Sequence, residues 1–206
     1  MSDFLDYSFV PFGNAYYPQS DCPGRVVYNR NEGLACWQAK CGDVAAGQPE
    51  ECFAGAPLCQ HGDSECAGDL LEACAVDIAG VWAAARFTYC YEGVHELDTD
   101  FAAPCAASAG IDYDALSACA ANDAATINTA VANATAIFAV ENTWVGTPTA
   151  VLNGVPVSST SGLLAQVCKA AGADAPAGCT SAVAAPPAAA KESGFGGGGA
   201  YLRRRQ

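Results

Sequence analysis

Residues 59–74 read Cys-Gln-His-Gly-Asp-Ser-Glu-Cys-Ala-Gly-Asp-Leu-Leu-Glu-Ala-Cys, which places three cysteines within sixteen residues. A helix can begin near Asp63, because acidic side chains in a first turn interact favourably with the positive end of the helix dipole. From there Cys66, Leu70, Cys74 and Ile78 recur every four residues, which is the spacing of one apolar helix stripe. The stretch therefore predicts a loop that runs into a partly buried helix.

The helix restricts how the cysteines of this stretch can pair. At 1.5 Å per residue Cys66 and Cys74 lie about 12 Å apart along the axis, whereas a disulfide needs Cα atoms within roughly 7 Å. Each should therefore bond to another cysteine. Cys59 and Cys66 can approach across the loop, and a structural bond is the expectation, with a redox role as the alternative. His61 either lowers the pKa of the Cys59 thiol or is a structural hydrogen-bonding group, and Glu65 is interpreted as a first-turn carboxylate.

The stretch resembles the signature of the gamma-interferon-inducible lysosomal thiol reductase (GILT) family. Asp69 is the one departure, because the family usually has asparagine there. The resemblance continues upstream in residues 9–15, Phe-Val-Pro-Phe-Gly-Asn-Ala, and downstream in residues 146–154, Gly-Thr-Pro-Thr-Ala-Val-Leu-Asn-Gly, and ends at Cys168 and Cys179. The signature positions are Cys59, Gln60, His61, Gly62, Glu65, Cys66, Asp69 and Cys74.

The resemblance implies an α/β, thioredoxin-like fold with a helical insertion and a cysteine-rich loop. It also implies that Pro148 is a cis-proline and that Thr147-Pro148 contacts an extended substrate. The family carries its reactive Cys-x-x-Cys before the first strand, and these 206 residues contain no Cys-x-x-Cys. We therefore expect that the first β-α unit is missing from this chain, that the recorded amino terminus is incomplete, and that the chain as given is inactive.

Twelve cysteines favour an oxidising compartment, because a reducing cytosol would leave so many thiols exposed to oxidation. Zinc sites usually show paired Cys-x(2–4)-Cys knuckles, and only His61 and His95 are available to assist, so we expect no metal and no cofactor. The candidates for structural disulfides are Cys22, Cys36, Cys41, Cys52, Cys59, Cys66, Cys74, Cys90, Cys105, Cys119, Cys168 and Cys179.

A net charge of −13 repels phosphate backbones and anionic membranes, which argues against nucleic-acid or lipid partners. No apolar run is long enough for a membrane span. The expected partners are disulfide-bonded protein substrates in a lysosomal or secreted setting, although no signal peptide follows Met1. Asn133 begins an Asn-Ala-Thr glycosylation sequon.

The sequence pattern divides the chain into a domain over residues 1–182 and a disordered Ala/Pro/Gly-rich tail over 183–206. Phe4–Pro11 is a predicted strand, and residues 16–58 are interpreted as a cysteine-rich loop without regular structure. A helical insertion is predicted over residues 61–142. Besides the helix from Asp63, its expected helices are Val81–Tyr91, Asp112–Ala121 and Asp123–Glu141.

The clearest short-range signal is the hairpin of Thr149–Leu152 and Val155–Val157 around the turn residues Asn153-Gly154. A last helix is predicted after Ser158–Ser161, with Leu163, Leu164 and Val167 buried and Gly172 at its end.

In the fold that the chain resembles, the missing strand lies between the first strand and the hairpin. Its loss would leave backbone groups unpaired on both sides. We expect the chain, expressed alone, to be marginally stable or to aggregate.

The leading functional hypothesis is a GILT-type reductase of protein disulfides whose active dithiol lies upstream of this chain. The second is a non-catalytic thioredoxin-like protein that binds peptides or partners through Thr147-Pro148. The third is a structural, cysteine-rich secreted protein. Disulfide connectivity and substrate identity remain open at the level of sequence.

Overall fold

The computed structural model describes residues 5–13, 15–23, 30–41, 49–93, 101–123, 125–132, 150–157, 162–179 and 199–204. This part of the chain is mostly helical with a few strands. The helices are α1 Arg30–Cys41, α2 Asp63–Ala79, α3 Val81–Tyr91, α4 Ala102–Ala109, α5 Tyr113–Asn122, α6 over residues 125–132 and α7 Leu163–Ala171. The strands are β1 Leu5–Val10, β2 Ala150–Leu152, β3 Val155–Pro156 and β4 Gly199–Arg204.

The strands pair in the order β1-β4-β2-β3. Strand β4 runs antiparallel to β1 and parallel to β2. The β2–β3 hairpin confirms the turn predicted at Asn153-Gly154, where φ is 53° and 81° respectively. Positive φ at both central residues is typical of a type I′ turn, whose twist matches that of the flanking strands.

Strand β4 corrects the expectation of a disordered tail over residues 183–206, because residues 199–204 pair with two neighbours. Strand β4 also lies between β1 and the β2–β3 hairpin, which is the position in the sheet where the sequence analysis expected a missing strand. The physical reason is that buried backbone N–H and C=O groups of β1 and β2 need partners, and an extended segment supplies them from either direction. Residues 180–198 lie outside the described part of the chain.

The cysteine-rich segment 16–58 contains regular structure, contrary to the loop interpretation. Helix α1 lies within it, followed by a 3-10 turn at Glu50–Phe53. Leu34, Trp37 and Cys41 are buried at helical spacing, and the Trp37 Nε1–H donates to the Cys52 carbonyl oxygen at 2.8 Å. Disulfides hold the middle of α1 through Cys22–Cys36 and its carboxyl end through Cys41–Cys52, so the helix is fixed by cross-links.

The helical block confirms the predicted helices α2, α3 and α5 within a residue or two. Helix α6 falls inside the predicted Asp123–Glu141 helix, whose remainder after residue 132 is outside the described residues. Helix α4 was not predicted. Pro104 lies in the first turn of α4, where its missing N–H has no intrahelical acceptor to lose.

The interior is divided between two main clusters of buried side chains. One lies among α2, α3, α4 and α5 and includes Cys74, Phe87 and Leu116. The other joins the start of the chain to α1 and α6 and includes Tyr16 and Trp37.

Helix α7 confirms the predicted burial of Val167 and leaves Leu163 half-buried. Leu164 is 49% exposed, so its predicted burial is wrong. Gly172 follows the last residue of the helix, as predicted. The predicted capping residues Ser158–Ser161 lie outside the described residues.

Removing the Cys74–Cys119 bond in a Cys74→Ala/Cys119→Ala variant should lower the free energy of unfolding by about 4 kcal/mol, because the bond closes a long loop in the unfolded chain. Its sequence separation is 45. The matched Cys168→Ala/Cys179→Ala variant removes a bond of separation 11 and should cost about 3 kcal/mol. Urea unfolding measures both values. Equal stability of the first variant and the wild type would contradict the role given to this bond.

Truncation after residue 198 removes β4 and should lower the free energy of unfolding by about 3 kcal/mol or cause aggregation, because β1 and β2 lose backbone partners worth roughly 1 to 3 kcal/mol each when buried. The control is truncation after Arg204, which keeps β4 intact. Urea unfolding and light scattering measure the effect. If both truncations behave like the full chain, β4 does not contribute to the sheet.

Candidate redox site at the start of helix α2

A disulfide joins Cys59, just before helix α2, to Cys66, in the helix's first turns, with a Cα–Cα distance of 5.5 Å. Cys59 is positioned by its neighbour Leu58, whose backbone N–H donates to the Tyr16 carbonyl oxygen at 2.8 Å. The chain turns at Gly62, where φ is 91°, a value that favours glycine. The expected separation of Cys66 from Cys74 is confirmed, because Cys74 bonds to Cys119 on α5.

Each sulfur of the Cys59–Cys66 disulfide lies against an oxygen. The Cys59 Sγ is 3.7 Å from Asp69 Oδ2, and the Cys66 Sγ is 3.4 Å from the Pro57 carbonyl oxygen. Cys59 is 2% exposed and Cys66 is 8% exposed, so Cys66 is the more accessible of the two. A disulfide sulfur carries no proton, so a hydrogen bond between Asp69 and Cys59 requires the proton to be on Asp69.

His61 interacts with Glu65 one helical turn away. Its backbone N–H donates to Glu65 Oε2, and its Nδ1 lies 3.3 Å from the same oxygen. Glu65 is therefore a first-turn carboxylate, as predicted, and it also anchors the loop in front of the helix. These contacts favour the structural hydrogen-bonding interpretation of His61.

A model of the family described as Gamma interferon inducible lysosomal thiol reductase (GILT) matches residues 44–109. The match supports membership of this chain in the GILT family. It covers the disulfide-bonded signature and helices α2, α3 and α4, which is about a third of the chain. No curated protein and no solved structure matches the chain.

Helix α2, which lies within the residues matched by the GILT family model, carries three buried carboxyl groups on one face. Glu65, Asp69 and Glu72 are spaced by four and three residues, and they are 6%, 5% and 0% exposed. Glu92, which follows α3, influences two of these carboxyl groups electrostatically. The sequence signal for the cluster is the helical spacing of acidic residues alongside the Cys66–Cys74 stripe, and sequence reasoning did not use it.

Burial raises the pKa of Asp69, Glu72 and Glu92, because the charged form loses its hydration. The pKa of Asp69 is raised well above its usual range by burial and then by the negative charge of Glu65, while a hydrogen bond from the Phe12 backbone opposes the shift. The pKa of Glu72 is likewise raised well above its usual range by burial, then by Asp69 and Glu92. Burial and then Glu65 raise the pKa of Glu92.

Glu72 is the most constrained member of the cluster. Neither of its carboxyl oxygens has a hydrogen-bond partner of standard geometry within the described residues, although Thr88 and Glu92 are close enough to influence its pKa. Burial and then the charge of Glu72 raise the pKa of Tyr7, in β1, to about 12. An unpaired, fully buried carboxylate is costly, so the neutral acid is the favoured form of Glu72 in the folded protein.

A surface cleft of about 280 Å³ lies between the end of β1, helix α2 and helix α6. It is lined by Phe9, Val10, Val76, Asp77, Thr126 and Thr129 among others. Neither Cys59 nor Cys66 lines it, so the cleft is separate from the disulfide.

The structure pairs all twelve cysteines, the predicted disulfide candidates, in six disulfides. Thr147, Pro148 and Asn133 lie outside the described residues. Within the described ranges no cluster of His, Cys, Asp and Glu has the arrangement of a metal site. No helix in the same ranges is long and apolar enough to cross a bilayer.

The buried carboxyls of Asp69 and Glu72 predict that the protein is more stable in acid than at neutral pH. Their pKa values are raised on folding, so the folded state binds protons more tightly, and stability is greatest below the unfolded pKa of about 4. It falls as pH rises through the folded pKa values, by at most about 1.4 kcal/mol per pH unit for each titrating carboxyl. Urea unfolding at a series of pH values measures this slope.

Glu72→Gln should flatten the pH dependence and raise stability at neutral pH, because the amide cannot ionise. The matched control is Asp77→Asn, on the exposed side of α2, which should leave the slope unchanged. A wild-type stability that rises from pH 5 to pH 7 would contradict the assignment of neutral buried carboxyls.

Proposed function

We propose that this protein is a thiol–disulfide oxidoreductase that reduces disulfide bonds of proteins in a lysosomal or secretory compartment. The observation that carries the proposal is the GILT-family match over residues 44–109, whose signature cysteines Cys59 and Cys66 form a disulfide at a helix start. Thiol–disulfide exchange needs a sulfur that a thiolate can reach and a leaving sulfur that can accept a proton. The start of α2 offers both features.

The arrangement of strands supports a thioredoxin-like organisation with a helical insertion. Strand β1 precedes the helical block, and the β2–β3 hairpin and α7 follow it. Thr147 and Pro148 stand directly before β2 in the sequence. We propose that they form the cis-proline loop and that its backbone groups hydrogen-bond to an extended substrate.

The compartment is proposed from two properties. Six disulfides are stable in an oxidising environment. The buried carboxyls Asp69 and Glu72 have raised pKa values, which makes an acidic lumen compatible with a folded protein. Glycosylation at Asn133 is proposed on the sequon alone.

A turnover assay tests the proposal. The chain is mixed at about pH 5 with a denatured, disulfide-bonded protein and a small thiol reductant, and release of substrate thiols is followed. The sequence alone led us to expect an inactive chain, but the Cys59–Cys66 disulfide at the start of α2 leads us to propose activity, so the expected rate exceeds the background of the small thiol alone. Pro148→Ala should lower kcat/KM about tenfold, since substrate positioning is lost, whereas Pro156→Ala in β3 should not. Turnover at the background rate would contradict the enzymatic proposal.

A non-catalytic peptide-binding protein is the second candidate. It is favoured by the pairing of all twelve cysteines, which leaves no free thiol in the oxidised chain. In that case extended peptides should bind without turnover, and Pro148→Ala should weaken binding. Calorimetric titration with a peptide that contains no cysteine separates this candidate from the enzyme.

A further inference from the structure

We propose that Cys59–Cys66 is a redox-active disulfide in which Cys66 is the attacked sulfur, Cys59 is the leaving sulfur and Asp69 is its proton donor. The inference rests on the proposed function, because it names the site within this chain that performs the exchange. It assigns chemistry to a cysteine pair that is separate from the Cys-x-x-Cys of the family.

The two sulfurs have different surroundings, and the difference sets the direction of attack. Both cysteines are buried, but Cys66 is the less buried residue, at 8% exposure against 2% for Cys59, and Asp63 and Ser64 in its turn are exposed. Cys59 is nearly inaccessible but lies 3.7 Å from a carboxyl oxygen of Asp69. An incoming thiolate therefore reaches Cys66, and the buried Cys59 departs next to an acid.

The oxygens around the disulfide also suit its reduced form. A thiol at Cys66 has the Pro57 carbonyl oxygen 3.4 Å away as an acceptor, and a thiol at Cys59 has the Asp69 carboxylate. Thiols donate only weak hydrogen bonds. These two oxygens nevertheless give each buried S–H group an acceptor. Both redox states are therefore accommodated without movement of the helix.

The exchange balances in protons and electrons. A small dithiol releases one proton to solvent, and its thiolate attacks Cys66 Sγ, forming a mixed disulfide while the Cys59–Cys66 bond breaks. The bond's electron pair goes to Cys59 Sγ, which takes the proton of Asp69. The second thiol of the reductant then attacks the mixed disulfide, Cys66 Sγ leaves, and the proton of that second thiol is transferred to Cys66 Sγ. The reductant is thereby oxidised to its disulfide, and both cysteines become thiols. A proton from solvent restores Asp69.

The reverse sequence reduces a substrate. The Cys66 thiol loses its proton to solvent, and its thiolate attacks the substrate disulfide, so a mixed disulfide forms and one substrate sulfur leaves and takes a proton from solvent. The Asp69 carboxylate then takes the proton from Cys59, whose thiolate attacks Cys66 Sγ and closes the Cys59–Cys66 disulfide. The second substrate sulfur leaves and takes a proton from solvent, and Asp69 returns its proton to solvent, so the substrate ends as two thiols. Two neighbouring carboxyls, Glu65 and Glu92, act electrostatically on Asp69 and favour its protonated form. Among the described residues His61 pairs with Glu65, so it does not replace Asp69 at the sulfur.

The test is a single-turnover measurement that does not depend on a protein substrate. The oxidised chain is mixed with dithiothreitol at a series of pH values, thiols are trapped by alkylation, and mass spectrometry follows Cys59 and Cys66. The thiolate fraction of the reductant grows about tenfold per pH unit. In the wild type the reduction rate should level off once pH passes the pKa of Asp69, because the protonated donor becomes scarcer.

Asp69→Asn should slow reduction of this disulfide at about pH 5 by roughly tenfold to a hundredfold, because general acid catalysis is lost. In Asp69→Asn the rate of disulfide reduction should then rise with pH without a plateau. The Asp77→Asn control should keep the pH dependence of the wild type. A wild-type rate that rises about tenfold per pH unit throughout would overturn the proposal, and this holds even if Asp69→Asn fails to fold. An unchanged rate and profile in folded Asp69→Asn would overturn it as well.

A Cys59→Ala/Cys66→Ala variant separates the inference from the proposed function. If this variant still reduces a protein substrate, the redox assignment of Cys59–Cys66 fails and the reductase function stands. If the wild type shows the proton-linked exchange with dithiothreitol but no turnover of a protein disulfide, the assignment stands and the proposed function fails. The expected result is loss of turnover in the variant and retention in the wild type.

Discussion

Covalent anchoring of helix α2 is the constraint on which the rest of the structure depends. Cys59–Cys66 fixes its start to the preceding loop, and Cys74–Cys119 fixes its third turn to helix α5. Between these bonds the helix packs against α3 and α5. The two cross-links restrict the unfolded chain and thereby stabilise a helix that has no side-chain cap at its amino terminus.

The anchored helix holds a set of buried acids that would be unfavourable in a less constrained protein. Asp69 and Glu72 lie inside the fold, and burial disfavours their charged forms. Protonation resolves the conflict, since a neutral acid needs only ordinary hydrogen bonding. Such a protein is expected to be more stable in acid than at neutral pH, and in the proposed exchange a protonated acid beside a disulfide sulfur is also the source of a proton.

Much of this architecture follows from local sequence patterns. The spacing of Cys66, Leu70 and Cys74 predicted α2 and excluded a Cys66–Cys74 bond, and Asn153-Gly154 predicted the hairpin. Local patterns did not predict α1, because its stability comes from disulfides and a buried tryptophan.

Strand β4 was also not predicted, because its partner strands are distant in sequence and the glycine-rich sequence beside it is typical of a loop. The carboxyl cluster was missed because burial of Glu72 depends on α3 packing over α2, which a linear pattern does not encode. The signature residues were located by resemblance, whereas the contact between Cys59 and Asp69 required the three-dimensional structure.

Disulfide mapping of the purified, non-reduced chain tests the central claim most directly. Proteolysis at low pH, which suppresses exchange, followed by mass spectrometry identifies the linked peptides. The account predicts one peptide pair joined through Cys59 and Cys66 and another joined through Cys74 and Cys119. Linkage of Cys66 to any cysteine other than Cys59, or a free thiol at Cys74, would contradict the anchoring of α2.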